Sequence, residues 1–274
     1  MTLQDYLAGK YKVSRRAAKA MIDARSVWVN RKVIWIANYE LKKSDVVECM
    51  AKPTAGRPSV QRAQDKSHVR VLWQDDHYLA CDKPAGRVSC DDPKSVEAIL
   101  RVQENIPTLE AVHRLDRDTT GCLLFAKNHA ALAAAIEVFK THKVQKTYHA
   151  IVAGNFKFVH EKIDTPLDNQ TAVTLVTREM ATPDASFLRV KIDTGRTNQI
   201  RRHLSSIRYP ILGDRVFGLK QARDPRIMHV ARQMLHASTL SLPHPIDKGE
   251  EIKVHSPLPA DFRTTLKLFG MGKK

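Results

Sequence analysis

The amino-acid sequence predicts an α+β fold, in which a mixed, largely antiparallel sheet with flanking helices follows a small N-terminal α/β domain. Helical and extended patterns are mixed along most of the chain, without the strict strand–helix–strand alternation of a parallel sheet. Residues 51–68 contain two prolines, one glycine and many polar side chains but no apolar period, which is typical of a linker. We therefore predict one domain over residues 1–50 and a second over residues 69–274.

The composition indicates a folded protein with a polyanionic partner. The chain has 274 residues, of which 43% are hydrophobic, and a chain of this size can bury a sizeable core. Lys and Arg number 45 against 29 Asp and Glu, so the net charge is +16 and nucleic acid is the first candidate partner. No apolar run approaches the ~18 to 20 residues of a membrane span, and we see no secretory signal. We expect a monomer in the cytoplasm, without membrane contact.

The spacing of cysteine and histidine gives no sign of a metal site. The twelve histidines form no HExxH-like pair. The four cysteines, none of which has CxxC spacing to another, are Cys49, Cys81, Cys90 and Cys122. We expect reduced thiols, no disulfide and no zinc.

The N-terminal segment begins with patterns for two helices. Thr2 and Asp5 give the T-x-x-D capping pattern of a first helix, and Ser14 precedes a second helix, RRAAKAMIDA. The second helix has one apolar and one basic side. Its basic side carries Arg15, Arg16 and Lys19. Taken alone, such a helix is explained equally well as a solvated face.

A hairpin and a strand complete this segment. VWVNRKVIWI alternates around Asn30 and Arg31 like a tight hairpin, and KKSDVVE predicts another short strand. In this order the elements of residues 1–50 resemble the S-four-type RNA-binding module of ribosomal proteins and RNA-modifying enzymes. The resemblance implies that the basic helix binds RNA. The module usually has Gly where Arg31 stands, so the type of turn is left open.

The second domain is predicted to contain strands and helices in mixed order. In the helix TNQIRRHLSSI, Ile200, Leu204 and Ile207 fall on one side. The predicted strands are VRVLWQ, HYLACDKPAG, CLLFAK, KTYHAIVAG and SFLRVKID, and the other predicted helix is HAALAAAIEVFKTH.

The segment HRLDRDTTG surrounds one carboxylate with positive charge. Asp116 lies among three potential cations, with a second acid, Asp118, two positions on. The three potential cations are His113, Arg114 and Arg117. Such a carboxylate is either a salt-bridged structural group or a reactive group whose charge is fixed for a task. The segment alone leaves both alternatives open.

Six segments in one order carry a second resemblance. They are DKPAG at 82–86, HRLDRDTTG at 113–121, KTYHAIVAG at 146–154, GRTNQIRRHL at 195–204, YPILGDRVFG at 209–218 and LHASTLSLPHP at 235–245. This set resembles the pseudouridine synthases of the RluA type over essentially residues 69–265. The S-four-type module is a common companion of that catalytic domain.

The resemblance implies an enzyme that isomerises uridine in RNA to pseudouridine in a central catalytic cleft. It implies Asp116 as the essential aspartate, Tyr148 as a pocket residue beneath the target base and Arg201 as the partner of Asp116. It also implies that Arg114 reaches into the RNA, and we expect Lys83 to support the DKPAG turn and contribute to RNA binding. No cofactor is expected, because an isomerisation neither adds nor removes atoms or electrons. The carboxylate of Asp116 either attacks the anomeric carbon or removes a neighbouring proton, and both alternatives stay open.

Two positions depart from the family's pattern. Asn198 stands where the family usually has His, and Thr120 stands where Ser is frequent. Asn can replace one hydrogen bond of His but has no titratable group, so the role of position 198 is left open.

Large-subunit ribosomal RNA is the expected substrate, with transfer RNA as the alternative.

Two other classes of protein fit the motifs less well. A glycosidase or nucleosidase normally has carboxylates on both sides of the scissile bond, and Asp118 is too close to Asp116 along the chain for that arrangement. A non-catalytic RNA-binding or ribosome-assembly protein would not need the full set of Asp116, Tyr148 and Arg201. The sequence does not specify which uridine is modified.

Overall fold

The computed structural model of the chain contains two compact units, residues 1–64 and residues 65–274. The structure describes residues 1–49 and 68–272, except for 12, 24–26, 31, 35, 37–38, 43, 142 and 223. Most of the predicted linker lies outside the described residues, so the predicted domain boundaries stay a prediction.

The N-terminal unit packs two helices against a three-stranded sheet. Its elements are α1 (Leu3–Tyr11), α2 (Arg15–Asp23), β1 (Val27–Val29), β2 (Lys32–Val33) and β3 (Val47–Cys49). The N–H of Asp5 donates to Thr2 Oγ1 at 3.2 Å, as the capping pattern predicts. β1 pairs antiparallel with β2 and with β3. A separate small core holds the unit together and contains Leu3, Leu7, Ala18, Ile22, Val27, Val29 and Val47.

A tight hairpin joins β1 to β2. Val29 pairs with Lys32, which leaves a turn of two residues beginning at Asn30. Asn30 has a φ of 50°, in the left-handed region that Asn adopts more readily than most residues. Its carboxamide donates to Asp45 Oδ1 at 2.8 Å and accepts the N–H of Val46 at 2.9 Å. The hairpin is thereby tied to the segment that precedes β3. The second turn position, where Arg31 replaces the usual Gly, lies outside the described residues.

The second unit is built on one ten-stranded sheet. Its strands are β4 (Arg70–Gln74), β5 (Tyr78–Lys83), β6 (Glu110–Ala111), β7 (Thr120–Ala126), β8 (Gln145–Ala153), β9 (His160–Ile163), β10 (Thr174–Ala181), β11 (Ala185–Ile192), β12 (Leu235–Pro243) and β13 (Glu251–His255). Its helices are α3 (Val96–Gln103), α4 (His129–Lys140), α5 (Gln199–Ser206), α6 (Pro225–Met228) and α7 (Ala260–Leu268). None of the described helices is long and apolar enough to cross a membrane.

The sheet is largely antiparallel, as the mixed order of elements predicts. Its main path runs β4-β5-β7-β12-β8-β11-β10-β9, while β13 pairs with β12 and β6 pairs with β7. Among the described strands, the pairing of β7 with β12 is parallel and all others are antiparallel. The predicted α+β class is therefore confirmed.

Strand β7 is buried on both faces, which explains why its sequence TGCLLFA is apolar after the first residue. Leu123 and Phe125 belong to a core that also contains Leu100 of α3, Leu204 of α5 and Phe262 of α7. The alternate residues of β7 belong to a second core with residues of α4, namely Cys122, Leu124, Ala126, Ala131 and Ala135.

A glycine allows the two central strands to meet. Gly121 of β7 has a φ of 112°, and a Cβ at this position would lie 2.1 Å from the carbonyl oxygen of Ala237 in β12. No other residue fits so close to a neighbouring backbone. Ala237 also pairs with Tyr148 of β8. The segment that enters β7, residues 113–119, is thus placed beside Tyr148.

Candidate active site

The segment that carries Asp116 is anchored at several backbone atoms. Ser89 Oγ accepts the N–H of Leu115 at 3.0 Å and donates to its carbonyl at 3.1 Å. The N–H of Thr119 donates to the carbonyl of Asp116 at 3.0 Å, which closes a turn. Further along, Gln233 Nε2 donates to Thr119 Oγ1 at 2.7 Å. The carboxylate of Asp116 therefore projects from a fixed backbone.

Lys83 is one of these anchors. Its side chain is fully buried, and its ammonium donates to the carbonyls of Pro84, Arg117 and Thr119 at 3.1, 2.9 and 2.9 Å. Burial lowers the pKa of Lys83 to about 8, against the opposing charge of Asp118. The ammonium is buried and engaged by three carbonyls, so the structure gives no support to the predicted contribution of Lys83 to RNA binding, which stays a prediction. Its position instead supports the turn and the Asp116 segment.

His113 is not a cation, contrary to the expectation from the sequence. Its Nε2 accepts the N–H of Leu124 at 3.2 Å, and its ring stacks on Phe139. Burial, together with the charge of Lys146, lowers the pKa of His113 to about 3. The other two predicted cations, Arg114 and Arg117, are exposed. Of the three potential cations around Asp116 in the sequence, only Arg114 and Arg117 therefore carry a positive charge.

Arg201 brings two carboxylates together. Its Nη1 donates to Asp116 Oδ2 at 3.0 Å, so the structure brings together the two residues that the resemblance pairs. Its Nε and Nη2 donate to the two oxygens of Asp214 at 2.6 and 2.9 Å, in a bidentate pair. The side chain of Asp214 is fully buried and that of Arg201 is 9% exposed, while that of Asp116 is 32% exposed. Asp116 is therefore the carboxylate of this group that solvent and substrate can reach.

The buried carboxylate of Asp214 is kept charged. Burial opposes its ionisation, but hydrogen bonds from Arg201 and from the N–H groups of Phe217 and Val216 hold the pKa of Asp214 below its ordinary value. The ring of Phe217 also lies 5.1 Å from the Arg201 guanidinium. Asp214 was missed by the sequence analysis, although it lies within the segment YPILGDRVFG. The available signal was an acid in a stretch that is largely apolar apart from Asp214 and Arg215, and a buried acid needs a partner.

Tyr148 lies on β8 at the floor of the cleft. Its side chain is buried, and both it and Asp116 line an open cavity. Burial, and secondarily the charge of Asp116, raises the pKa of Tyr148 well above its ordinary value. The phenol is therefore neutral at physiological pH. Arg114 lines the same cavity at its exposed side.

The three cations predicted on the N-terminal module lie in the other compact unit. Arg15 is exposed and donates to Asp5 at 2.7 Å, and Lys19 is exposed. The side chain of Arg16 lies outside the described residues. Across the described part of the chain, no three His, Cys, Asp or Glu side chains are grouped as a metal site.

The fold and the cleft together define an α+β enzyme whose site combines an arginine-paired carboxylate with a buried tyrosine. Residues 77–206 match the model of the RNA pseudouridylate synthase family, and residues 1–47 match the S4 domain. The ribosomal large subunit pseudouridine synthase D of Pseudomonas aeruginosa is 34% identical over 75% of this chain and 73% of its own. The chain therefore belongs to the RNA pseudouridine synthase family and is an isomerase that acts on RNA.

Other relatives extend the same likeness. The tRNA pseudouridine synthase C of Pectobacterium carotovorum is 32% identical over 78% of this chain and 65% of its own. An uncharacterized RNA pseudouridine synthase of Mycobacterium bovis is 30% identical over 98% of this chain and 94% of its own. The family and the N-terminal RNA-binding module predicted from the motifs are thus confirmed.

Two solved human structures share the fold. RNA pseudouridylate synthase domain containing 4 has a TM-score of 0.64 and 23% identity, over 73% of this chain and 93% of its own. RNA pseudouridylate synthase domain containing 1 has a TM-score of 0.58 and 24% identity, over 70% of this chain and 84% of its own.

Proposed function

We propose that the protein isomerises uridine in large-subunit ribosomal RNA, with Asp116 as the catalytic carboxylate. One observation carries the assignment of Asp116. Its carboxylate is held at 3.0 Å by Arg201 beside the buried Tyr148, yet 32% of its side chain stays exposed in the cleft. A reactive group must combine fixed position with access to substrate. Ribosomal RNA is supported by the S4 domain and by the likeness to a ribosomal large subunit synthase.

The reaction requires an ionised carboxylate beside the ribose. The bond from C1′ to N1 of uracil breaks, the base turns, and a bond from C1′ to C5 forms. C5 loses a proton and N1 gains one, so atoms and electrons balance without a co-reactant. Asp116 either attacks C1′ or removes a proton from the ribose. In both cases Arg201 holds the carboxylate of Asp116 in position through a hydrogen bond from a fixed guanidinium.

Tyr148 and Arg114 are proposed to hold the extruded nucleotide. A uridine within a helix hides its ribose, so it must leave the stack at a cost of a few kcal/mol. The neutral phenol of Tyr148 offers a stacking face at the floor of the cavity. The exposed guanidinium of Arg114 can fill the vacated place and contact phosphate.

The N-terminal module is proposed to anchor the RNA through the basic side of α2. Arg15, Arg16 and Lys19 follow one another along that helix.

Transfer RNA is a second candidate substrate, because a transfer RNA synthase is 32% identical to this chain. With either substrate we place the protein in the cytoplasm, acting as a monomer.

The test is to map pseudouridine across total RNA from cells with and without the gene. One or a few uridines of large-subunit ribosomal RNA should lose the modification, and the unchanged gene should restore it. Asp116→Asn should not restore it, while the same change at the exposed Asp164, which pairs with Lys162, should. A loss confined to transfer RNA would assign the second substrate, and restoration by Asp116→Asn would overturn the role of Asp116.

A further inference from the structure

Asn198 begins helix α5 but does not cap it. An N-cap Asn ordinarily has extended backbone angles and accepts an N–H of the first helical turn through its side chain. Asn198 instead has a φ of 55° and a ψ of 26°, and its side chain makes no capping hydrogen bond. Its backbone carbonyl still accepts the N–H of Arg202 at 2.9 Å, so the helix starts normally.

The side chain of Asn198 is directed at Arg201 instead. Its Oδ1 accepts a hydrogen bond from Arg201 Nη1, the same nitrogen that donates to Asp116. Nη1 carries two hydrogens, and one is directed to each acceptor. The other hydrogen bonds of the guanidinium, through Nε and Nη2, go to Asp214. Both ends of the Arg201 guanidinium are thus fixed, one by Asp214 and the other by Asn198 and Asp116.

The entry to α5 is secured by Gln199. Its Oε1 accepts the N–H of Arg196 at 3.0 Å and the hydroxyl of Thr194 at 2.7 Å. Its Nε2 donates to the carbonyl of Val173 at 2.9 Å and to Thr174 Oγ1 at 3.1 Å. Gln199 thus holds the turn through hydrogen bonds that do not involve the carboxamide of Asn198. Its contact with Arg201 can therefore serve the site.

We infer that Asn198 is a positioning residue, which aims Nη1 of Arg201 at Asp116 while adding no charge to the cleft. A neutral acceptor satisfies the second Nη1 hydrogen without competing for the positive charge. A carboxylate there would be a second anion close to Asp116 and would favour protonation of Asp116. The amide does not titrate, so the contact persists across the pH range of the reaction. This inference rests on the proposed catalytic role of Asp116.

The cleft holds other ionisable groups that any pH profile will include. Those lining the cavity around Asn198 and Arg201 are Asp116, Tyr148, Arg114 and Arg196, with Asp214 beneath them and Lys83 behind the Asp116 segment. The inference is therefore tested by differences between variants at position 198, and not by the wild-type profile alone.

The first experiment compares Asn198→Ala with Asn105→Ala. Asn105 is exposed and also left-handed, with a φ of 55°, but its side chain has no place in the cleft. Both variants should lose similar stability in urea. Asn198→Ala alone should lower kcat by about 10- to 100-fold, the effect of losing one hydrogen bond to a charged group. Turnover is followed as release of tritium from C5 of uridine-labelled total RNA taken from cells that lack the gene. RNA affinity, from filter binding, should change less than about threefold because the hydrogen bond that is lost lies within the protein.

The second experiment uses Asn198→Asp and Asn198→His, two residue types that also tolerate the left-handed region. Asn198→Asp should move the acidic limb of the kcat profile to higher pH, because the added anion favours protonation of Asp116. Asn198→His should keep substantial activity while the imidazole is neutral. It should lose that activity as pH falls through the imidazole pKa, since protonation removes the acceptor and adds a cation beside Arg201.

The outcomes separate the inference from the proposed function. Wild-type kcat in Asn198→Ala, or an unshifted acidic limb in Asn198→Asp, overturns the positioning role. An equal loss of kcat in Asn105→Ala does so as well, because it shows an effect of backbone strain alone. If Asn198→Ala does not fold, the two pH profiles decide by themselves. Activity in Asp116→Asn would overturn the proposed function instead.

Discussion

The carboxylate of Asp214 is buried beneath the cleft and keeps its charge through Arg201. We expect Asp214→Asn to lower the free energy of unfolding at pH 7 by about 3–5 kcal/mol, because it leaves the buried Arg201 without its bidentate partner. Turnover should fall as well, since the guanidinium that holds Asp116 loses its fixed end. Urea unfolding and tritium release measure the two effects.

The loss of stability in Asp214→Asn should depend on pH, and the pKa of Asp214 determines the direction of this dependence. The pKa of Asp214 lies below its ordinary value in the folded protein. Its ionised form therefore stabilises the fold above the unfolded pKa of about 3.9, and this contribution is lost as pH falls through the folded pKa. The difference between wild type and Asp214→Asn should shrink in acid. Asp168→Asn, which removes an exposed pair with Arg202, is the control, and an equal loss in that variant would contradict the prediction.

The burial of the Lys83 ammonium should affect the free energy of unfolding at alkaline pH. Its pKa is lowered to about 8, so the folded protein binds this proton less tightly than the unfolded chain does. Relative to Lys83→Met, the wild type should gain about 3 kcal/mol of stability as pH rises from about 8 to about 10.4. Lys83→Met should also lower kcat, because the segment of Asp116 loses anchors at Arg117 and Thr119. Urea unfolding across this pH range measures the gain, with the exposed Lys162→Met as control. A wild-type curve parallel to Lys83→Met would refute it.

At the scale of elements, the contact of β7 with β12 determines where the catalytic segment lies. Gly121→Ala would place a Cβ 2.1 Å from the carbonyl oxygen of Ala237, so the two strands must separate. We expect the fold to be lost or the midpoint of urea unfolding to fall sharply, and the remaining folded protein to be inactive.

Gly249→Ala separates steric contact from backbone strain in this prediction. Gly249 also has positive φ, at 90°, but an added Cβ there meets nothing within 4 Å. Its cost should be limited to the left-handed strain, about 1–2 kcal/mol. Comparable losses in both variants would show that the strand contact is not the cause.

At the scale of the whole molecule, the proposed anchoring of RNA and the proposed chemistry belong to different units. All residues proposed for the reaction lie in the second unit, which has its own cores. A variant that starts near His68 should fold and modify saturating RNA at nearly the full rate. Its affinity should fall, because the N-terminal cations no longer neutralise phosphates. Its slope of log affinity against log salt should become shallower by ~0.7 for each phosphate of single-stranded RNA that is no longer neutralised.

Circular dichroism and urea unfolding must first show that the shortened protein is folded. Binding by filter retention at several salt concentrations then gives the slope. The same affinity and the same slope in both proteins would mean that the N-terminal module does not anchor the RNA. In that case the assignment of Arg15, Arg16 and Lys19 would fail, while the catalytic assignment would be unaffected.

The sequence by itself determined the class of fold, the family and the residues worth testing. Capping and hairpin patterns act over two to four residues, so Thr2, Asp5 and Asn30 could be interpreted locally and were found as expected. The order of six motifs was enough to predict the family, because together they resemble the pseudouridine synthases of the RluA type, and the family model matches. The resemblance to that family, and not residue type alone, singled out Asp116 and Tyr148.

Only the tertiary structure decided which titratable side chains are charged and which partners they contact. His113 and Lys83 look like surface cations in the sequence, but burial makes one neutral and encloses the other among carbonyls. Arg201 meets Asp116 from 85 positions away, and the acid that completes its pairing, Asp214, is 13 positions further on. Desolvation and hydrogen bonding depend on neighbours in space, and these come from strands and helices that are distant in the chain. The sequence therefore identifies the candidate reactive groups, while their protonation states and orientations depend on the fold.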